Sequence, residues 1–191
     1  MKTWTINDLK ADALMHNIPI IQDEALAYIQ KFIQINNIKS VLEIGTAYGY
    51  SAVSFSSEFT HVDTIERDQK RAIKATHWID LLDANVTLYI EDALTYDGLE
   101  SSYDLIFIDA AKSQYENLFN KYSSFLNKGG TIICDNINFH NLTANTVKNR
   151  RTRSLLKKLD QFKTFLETHT DFKTTFLDIG DGLSVSKKLN D

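Results

Sequence analysis

The stretch Glu43-Ile44-Gly45-Thr46-Ala47-Tyr48-Gly49-Tyr50-Ser51 follows the start of an apolar run, Val41 to Ile44, and precedes a segment with helical spacing of its apolar residues. It predicts a strand, a glycine-rich turn and a helix in succession. Small residues at a strand tip let ligand atoms approach the backbone, and the unpaired N–H groups of the next helix point to the same place. Glu66, 21 positions after Gly45 at the end of a second apolar run, can accept hydrogen bonds from both hydroxyls of a ribose. The pattern predicts a nucleotide-like cofactor at this turn.

The composition is that of a globular domain, with 43% hydrophobic and 24% charged residues in a chain of 191. We expect one domain, 1–191, in which 1–18 is a candidate lid or dimer segment. No apolar run approaches the roughly 20 residues that a membrane helix needs, and the first ten residues lack a signal-peptide pattern. Cys134 is the only cysteine, so no disulfide can form within the chain. These features predict a cytoplasmic protein without a membrane segment.

Apolar segments of strand-like length alternate with longer amphipathic segments, which predicts an α/β domain with a mostly parallel sheet. We expect the segment Asn127-Lys128-Gly129-Gly130 to end the last helix before the fifth strand, because glycine favours the position after a helix. The predicted strands are 40–44, 61–66, 86–90, 103–109 and 130–135, and the predicted helices are 20–35, 49–58, 68–83 and 113–126.

The C-terminal part of the chain follows a different pattern. A polar loop at 136–149 precedes a helix that extends to about Glu167, and strand-like segments follow at 172–177 and 183–187. The five residues between these two segments are too few for a helical crossover but suit a hairpin. We therefore predict five parallel strands followed by an antiparallel pair.

Acidic side chains come at the end of every predicted parallel strand. Ligands of open parallel sheets bind at this edge, so we expect these side chains to surround one site. Asp109, Asp135 and Asn136 offer the hard oxygen ligands that suit Mg²⁺, Mn²⁺ or Ca²⁺. The alternative interpretation is that the two aspartates only cap the helix or turn that follows them.

Lys112 lies three positions after Asp109. A lysine beside a bound dication loses its proton more readily and can act as a general base on a substrate hydroxyl. Without any wider pattern, a solvent-exposed lysine in a salt bridge is the simpler explanation.

Part of this pattern also occurs in two classes of protein that the remaining residues argue against. A nicotinamide dehydrogenase has the same strand, turn, helix and ribose acid, but its fingerprint needs Gly-x-Gly-x-x-Gly. Here Ala47 stands two positions after Gly45, and no equivalent third glycine follows. A binding module without catalysis would have no use for the full set of acids, amide and lysine.

The segment Lys148 to Lys158 holds six lysine or arginine residues and no acid, in a chain of net charge −4. Such a segment can bind an anionic partner, and it can equally be the solvated face of a helix.

The ordered set of motifs resembles the class I S-adenosylmethionine-dependent methyltransferases, and among them the metal-dependent O-methyltransferases of the catechol and caffeoyl-CoA type. The resemblance runs from about Pro19 to Lys188, and it implies a homodimer and a Rossmann-like sheet of seven strands. The implied order is 3-2-1-4-5-7-6, with strand 7 antiparallel and helices on both faces. The motifs that carry the resemblance are Gly45 to Ser51, Phe107-Ile108-Asp109-Ala110-Ala111-Lys112 and Cys134-Asp135-Asn136.

Carried over residue by residue, the resemblance implies a complete active site. The residues implied to bind S-adenosylmethionine are Glu43, Gly45 and Ser51 at the methionine end, Glu66 at the ribose, Asp92 and Ala93 at the adenine, and Asp109. The implied ligands of a divalent cation are Asp109, Asp135 and Asn136. Lys112 is the implied catalytic base.

For the substrate, the segment Asn149-Arg150-Arg151-Thr152-Arg153 is similar to one in the small bacterial members of this family that methylate 5-hydroxyuridine at the wobble position of tRNA. RNA phosphates suit Arg150, Arg151 and Arg153, whereas a catechol has no use for three arginines. The 5-hydroxyl and 4-oxo groups of that base are neighbouring oxygens that can chelate one cation, and an anticodon loop can splay a base into a pocket. The alternative is an O-methyltransferase of a small vicinal diol such as a catechol.

Overall fold

The computed structural model describes residues 3–138, 147 and 149–189. One seven-stranded sheet has the order β3-β2-β1-β4-β5-β7-β6. Strands β1 to β5 are parallel, and β7 runs antiparallel to both β5 and β6. This confirms the predicted strand order and directions. The strands are β1 (Ser40–Ile44), β2 (His61–Ile65), β3 (Val86–Tyr89), β4 (Tyr103–Ile108), β5 (Leu126–Cys134), β6 (Phe172–Leu177) and β7 (Leu183–Lys188).

Helices cover both faces of the sheet, as predicted. The chain moves outward from β1 to β3 with its crossover helices on one face, and the connections after β4 and β5 place helices on the other. In β1, Val41 packs on the first face and Leu42 on the second, and neither is exposed. None of the helices in the described ranges has the length and apolarity that a bilayer-spanning helix needs. The first face carries α1 (Ile6–Met15), α2 (Asp23–Ile35), α3 (Tyr50–Phe55) and α4 (Gln69–Leu81), and the second carries α5 (Tyr115–Tyr122) and α6 (Arg150–Thr168).

Helix α1 has no counterpart among the predicted elements. It begins after Thr5, whose backbone N–H donates to the Asp8 carboxylate at 2.9 Å, which is half of a capping box. The carboxylate of Asp12 accepts a hydrogen bond from the indole of Trp78 at 2.8 Å, which fixes α1 to α4. Met15, the last residue of α1, is 74% exposed. The role of 1–18 as a lid or dimer segment stays a prediction.

The glycines before the fifth strand do not end a helix. Helix α5 already ends at Tyr122 and is followed by a 3₁₀ turn, Ser123–Phe125, whereas 127–130 lie within β5. Gly129 has φ +69°, and the pairing of β4 with β5 shifts in register at this place. The predicted helix end at 127–130 is therefore wrong, because these glycines accommodate an irregularity in a strand.

Candidate active site

The carboxyl ends of the parallel strands surround a cavity of about 420 Å³. This volume lies in the range of small-molecule sites. Glu43 and Ser51 are not among the residues that line it. The predicted site residues that do line it are Gly45, Glu66, Asp92, Ala93, Asp109, Lys112, Asp135 and Asn136.

Gly45 allows the tip of β1 to approach the tip of β4. Its φ is +106°, and a Cβ atom added there would lie 2.1 Å from the carbonyl oxygen of Asp109. No side chain fits at that distance, so the glycine is required by both its backbone conformation and its neighbour. Ala47, two positions later, also has a left-handed backbone, with φ 48°. For a residue with a Cβ atom this conformation costs about 1 kcal/mol or more, so the surrounding contacts must hold the turn in place.

Glu66 supplies those contacts. Its Oε2 atom accepts a hydrogen bond from the N–H of Ala47 at 2.9 Å, and Oε1 accepts one from the N–H of Asp68 at 2.8 Å. The carboxylate is therefore fixed between the glycine turn and the start of α4. Each oxygen keeps a second lone pair for a ligand hydroxyl, and Ile65 and Leu118 add apolar surface to the same cavity. These features fit a ribose with an attached base.

Glu43 lies one layer below the turn and has no exposed surface. Its Oε2 atom accepts a hydrogen bond from the Thr64 hydroxyl at 2.6 Å, while Oε1 has no hydrogen-bond partner among the described residues. Burial raises the pKa of Glu43 to about 7, and the hydroxyls of Ser51 and Thr64 oppose that shift, although only Thr64 forms a hydrogen bond. Ser51 is half-buried in the first turn of α3. Direct contact of Glu43 and Ser51 with a cofactor stays a prediction.

Two carboxyl groups, the half-buried Asp109 and the buried Asp135, directly follow the adjacent strands β4 and β5. Burial raises the pKa of Asp135 to about 7, and the charge of Asp109 adds to the effect. Burial also raises the pKa of Asp109, and the Lys112 ammonium opposes that shift. Two like charges in one buried place favour a bound cation, because a positive charge stabilises both ionised forms.

Lys112 and Asn136 meet beside this acid pair. Lys112 begins a short 3₁₀ turn after β4, and its Nζ donates to the Oδ1 atom of Asn136 at 2.8 Å. Asn136 has φ 54°, and its N–H donates to Oδ1 of Asp135 at 2.6 Å. The Tyr115 hydroxyl donates to the backbone oxygen of Asp135 at 2.9 Å. The structure thus brings the predicted base and the predicted cation ligands to one place.

The donor set fits a hard divalent cation in its chemistry. Within the described ranges no three His, Cys, Asp or Glu side chains are grouped as a metal site. The set at this edge consists of two carboxylates and one amide oxygen, from Asp109, Asp135 and Asn136, which are the hard ligands that Mg²⁺, Mn²⁺ and Ca²⁺ prefer. Which residues bind a metal stays a prediction.

Several cavity residues were not predicted from the sequence. Arg67 contacts Asp92, with Nη1 3.5 Å from Oδ2, and it directly follows Glu66, so its place at this strand end was readable. Arg71 lies in the first turn of α4. Pro19 and Ile20 come from the link between α1 and α2, and only tertiary packing brings them to the cavity.

The three predicted RNA-binding arginines lie in the first turn of α6, outside the residues that line the cavity. The side chain of Asn149 caps this helix by accepting hydrogen bonds from two backbone N–H groups, at 2.9 and 3.2 Å. Arg150 and Arg151 are exposed. Arg153 is exposed too, but its Nη2 and Nε atoms donate to the carbonyl oxygen of Val147 at 3.0 and 3.2 Å, which is a structural contact. Lys148 and 139–146 lie outside the described residues, and the RNA-binding role stays a prediction.

Comparison with known proteins gives the family. The sequence model of the O-methyltransferase family matches residues 5–189. The Dictyostelium discoideum protein named Probable caffeoyl-CoA O-methyltransferase 1 is 25% identical over 187 residues, which cover 91% of this chain and 80% of that protein. The Vitis vinifera flavonoid 3',5'-methyltransferase is 25% identical over 207 residues, which cover 99% and 85% of the two chains.

Solved structures agree with this assignment. A presumed caffeoyl-CoA O-methyltransferase from Staphylococcus aureus superposes with a TM-score of 0.92 and 34% identity, covering 97% of this chain and 92% of that one. An O-methyltransferase from Bacillus cereus in complex with SAH has a TM-score of 0.83 over 98% and 92% of the two chains, and at 23% identity it supports the fold alone. The chain therefore belongs to the O-methyltransferase family, and it is an S-adenosylmethionine-dependent O-methyltransferase of the caffeoyl-CoA type.

Proposed function

We propose that this enzyme methylates 5-hydroxyuridine at the wobble position of tRNA, forming 5-methoxyuridine with the aid of a divalent cation. The observation that carries this proposal is the charge on the first turn of α6. This turn holds Arg150, Arg151 and Arg153 and contains no acid. Positive charges are unfavourable at a helix N-terminus, where the partial charge of the backbone is already positive. An RNA phosphate bound there would interact favourably with both the arginines and the helix end.

Helix α6 is also connected to the cavity. It packs against the turn Lys112–Gln114, and the Lys163 Nζ on α6 donates to Oδ1 of Asn138 at 2.9 Å. Asn138 follows Asn136 by two positions, so the helix and the proposed cation ligands are fixed relative to each other. A partner bound along the start of α6 would therefore be held in a defined place relative to Lys112. This arrangement suits a large anionic substrate of which one base enters the cavity.

The proposed cofactor-binding residues follow from the contacts around the glycine turn. The carboxylate of Glu66, held by two backbone N–H groups, would accept hydrogen bonds from the ribose hydroxyls. Gly45 would let S-adenosylmethionine lie against the backbone of β1. Asp92 and Ala93, both at the cavity, would flank the adenine. Glu43 and Ser51 would act at the methionine end.

The proposed chemistry starts from the contact between Lys112 and Asn136. Asp109, Asp135 and Asn136 would hold the divalent cation, which when bound supplies a positive charge that makes a chelating hydroxyl more acidic. Lys112 would then accept the proton of the 5-hydroxyl, because its Nζ already lies at the amide oxygen next to which the substrate oxygens would bind. The substrate oxygen forms its bond to the methyl carbon as the carbon–sulfur bond breaks, which leaves S-adenosylhomocysteine.

A second candidate substrate is a small vicinal diol such as a catechol. The names of several relatives support it, since they refer to caffeoyl-CoA and flavonoid substrates. In that case the arginines of α6 would bind a carboxylate or phosphate of the substrate, or they would have no part in substrate binding. The same acid pair and lysine would serve this reaction, so the cavity alone does not favour either substrate.

The two candidates are separated by a labelling experiment. The enzyme is incubated with methyl-labelled S-adenosylmethionine, Mg²⁺ and either catechol or tRNA from a strain that forms 5-hydroxyuridine but does not methylate it. We expect label in the tRNA, at a rate that falls steeply with salt because the binding displaces counterions. Label in the catechol and none in the tRNA would exclude the tRNA proposal.

A further inference from the structure

A second cavity, of about 550 Å³, lies at the amino ends of the parallel strands, whereas the active site lies at their carboxyl ends. We call it the lysine groove. It is formed by the amino end of β1, the first half of β5 and the paired strands β6 and β7, with the C-terminal end of α2 along one side. Phe32, Ile38 and Val185 give it apolar walls.

Four lysines surround the lysine groove, and each is exposed. None of them forms an ion pair with an acid among the described residues. The groove therefore concentrates positive charge on a chain whose net charge is −4. The lysines are Lys39, Lys128, Lys173 and Lys187.

Asp104 is the single acid among the described residues that line the groove. Its Oδ2 atom accepts hydrogen bonds from the backbone N–H groups of Lys39 and Ser40, at 2.9 and 3.2 Å, and its Oδ1 atom accepts one from the Asn127 amide at 2.9 Å. These contacts hold the carboxylate against the start of β1. Four lysines against this one carboxylate leave the lining side chains of the groove with an excess of positive charge.

Two of the lysines are neighbours on adjacent strands of the sheet. Lys173 on β6 is paired directly with Lys187 on β7, and in an antiparallel pair such side chains lie on the same face. Like charges in this arrangement destabilise a sheet. Lysine on an edge strand protects against aggregation, which accounts for Lys173, but β7 is paired on both sides, so that explanation does not cover Lys187. A bound anion would remove the repulsion.

We propose that the lysine groove binds a small ligand with several clustered phosphate groups. Lysine ammonium groups bind phosphate as point charges, and a group of four suits a ligand with more than one phosphate. The volume and the apolar walls are those of a small-molecule site, which favours a compact ligand over an extended RNA strand. The groove lies at the opposite edge from Lys112, so this inference does not depend on the identity of the methylated substrate.

The first test is calorimetric titration of the full chain with inorganic tripolyphosphate. We expect saturable binding of one ligand per chain. The double variant Lys173→Gln/Lys187→Gln should bind roughly a hundredfold more weakly, because each of the two lost charge-assisted contacts is worth about a factor of ten. The matched control is Lys31→Gln/Lys70→Gln, which changes the net charge equally at two exposed lysines outside the groove. An equal loss in both double variants, or no binding by the unmodified chain, overturns the proposal.

The second test separates binding from folding. Lys187→Glu replaces a like-charge pair with an opposite-charge pair, so the melting temperature of the free protein should rise by about 2 °C while tripolyphosphate binding is lost. Lys70→Glu, with the same change of charge, should leave binding within about twofold. Retained binding in Lys187→Glu contradicts the proposal. So does groove-dependent binding of a 12-nucleotide RNA by a chain that does not bind tripolyphosphate.

Discussion

The active-site cavity and the first turn of α6 differ in how their charged side chains are held. At the cavity, both oxygens of Glu66 are fixed by backbone N–H groups, at 2.9 and 2.8 Å, and of the acid pair Asp135 is buried and Asp109 is half-buried. At the first turn of α6, Arg150 and Arg151 are exposed, and neither has an ion-pair partner among the described residues. Fixed and buried groups suit a ligand of constant shape, such as a cofactor. Exposed arginines suit a partner recognised mainly by its charge.

The largest effect is expected at the glycine turn. Gly45→Ala would place a Cβ atom 2.1 Å from the Asp109 carbonyl oxygen, so the free energy of unfolding should fall by roughly 3 to 5 kcal/mol. The control is Gly49→Ala, where φ is also positive but the nearest atom to the added Cβ is 3.5 Å away, so the loss should be about 1 to 2 kcal/mol. Urea denaturation measures both. Equal losses would mean that the contact with Asp109 has no part in the effect.

The next effect tests the proposed base. Lys112→Ala should lower kcat by roughly 10²- to 10⁴-fold while leaving the affinity for S-adenosylhomocysteine within about twofold. Steady-state kinetics and calorimetry give the two values. Lys31→Ala, at an exposed lysine on α2 that does not line the cavity, is the control and should keep full activity. Parallel losses of turnover and cofactor affinity in Lys112→Ala would show that the residue supports the cavity and does not act as the base.

A third prediction concerns the pH dependence of stability. The pKa of Glu43 is raised from 4.5 to about 7, so the folded chain binds more protons than the unfolded chain between these values, and the contribution of Glu43 to stability falls as the pH rises through 7. Glu43→Gln should therefore gain stability relative to the unmodified protein, from almost none at pH 4.5 to on the order of 3 kcal/mol at pH 8. Denaturation at several pH values measures this difference. Glu58→Gln, at an exposed glutamate, is the control, and a pH-independent difference for Glu43→Gln would contradict the prediction.

The smallest effect is expected at the exposed arginines. Arg150→Ala/Arg151→Ala should reduce the slope of log affinity for tRNA against log salt by about 1.4, since each phosphate contact with a single strand contributes about 0.7. Affinity for S-adenosylhomocysteine should stay unchanged, because neither arginine lines the cavity. Lys31→Ala/Lys70→Ala provides a control with the same charge. A slope that changes equally in the two variants would show that the arginines of α6 have no specific role in tRNA binding.

The helices and strands with a clear periodicity of apolar residues were predictable from the sequence. The alternation of apolar strands and amphipathic helices predicted the mostly parallel sheet, whereas its strand order was implied by the resemblance to the family. The rule that strand ends converge brought Asp109, Asp135 and Lys112 together correctly. Helix α1 was missed although Thr5 and Asp8 carry a capping signal, because its apolar face is small. The remaining differences come from packing between distant segments, which periodicity does not report.

Two such differences show the limit of local pattern. Gly129 looks like a helix end in sequence, yet it lies in β5 because the strand is irregular where it pairs with β4. Pro19 lines the cavity because α1 and α2 pack on the same face of the sheet. Neither contact follows from residues nearby in the chain.

The central claim is methyl transfer to the wobble uridine, and nucleoside analysis of treated tRNA by mass spectrometry tests it most directly. The enzyme is incubated with S-adenosylmethionine, Mg²⁺ and tRNA that carries 5-hydroxyuridine, and the tRNA is then digested to nucleosides. We expect 5-hydroxyuridine to be converted to 5-methoxyuridine, and the conversion to be lost with Lys112→Ala. Unchanged 5-hydroxyuridine, under conditions in which the same enzyme methylates a catechol, would contradict the claim.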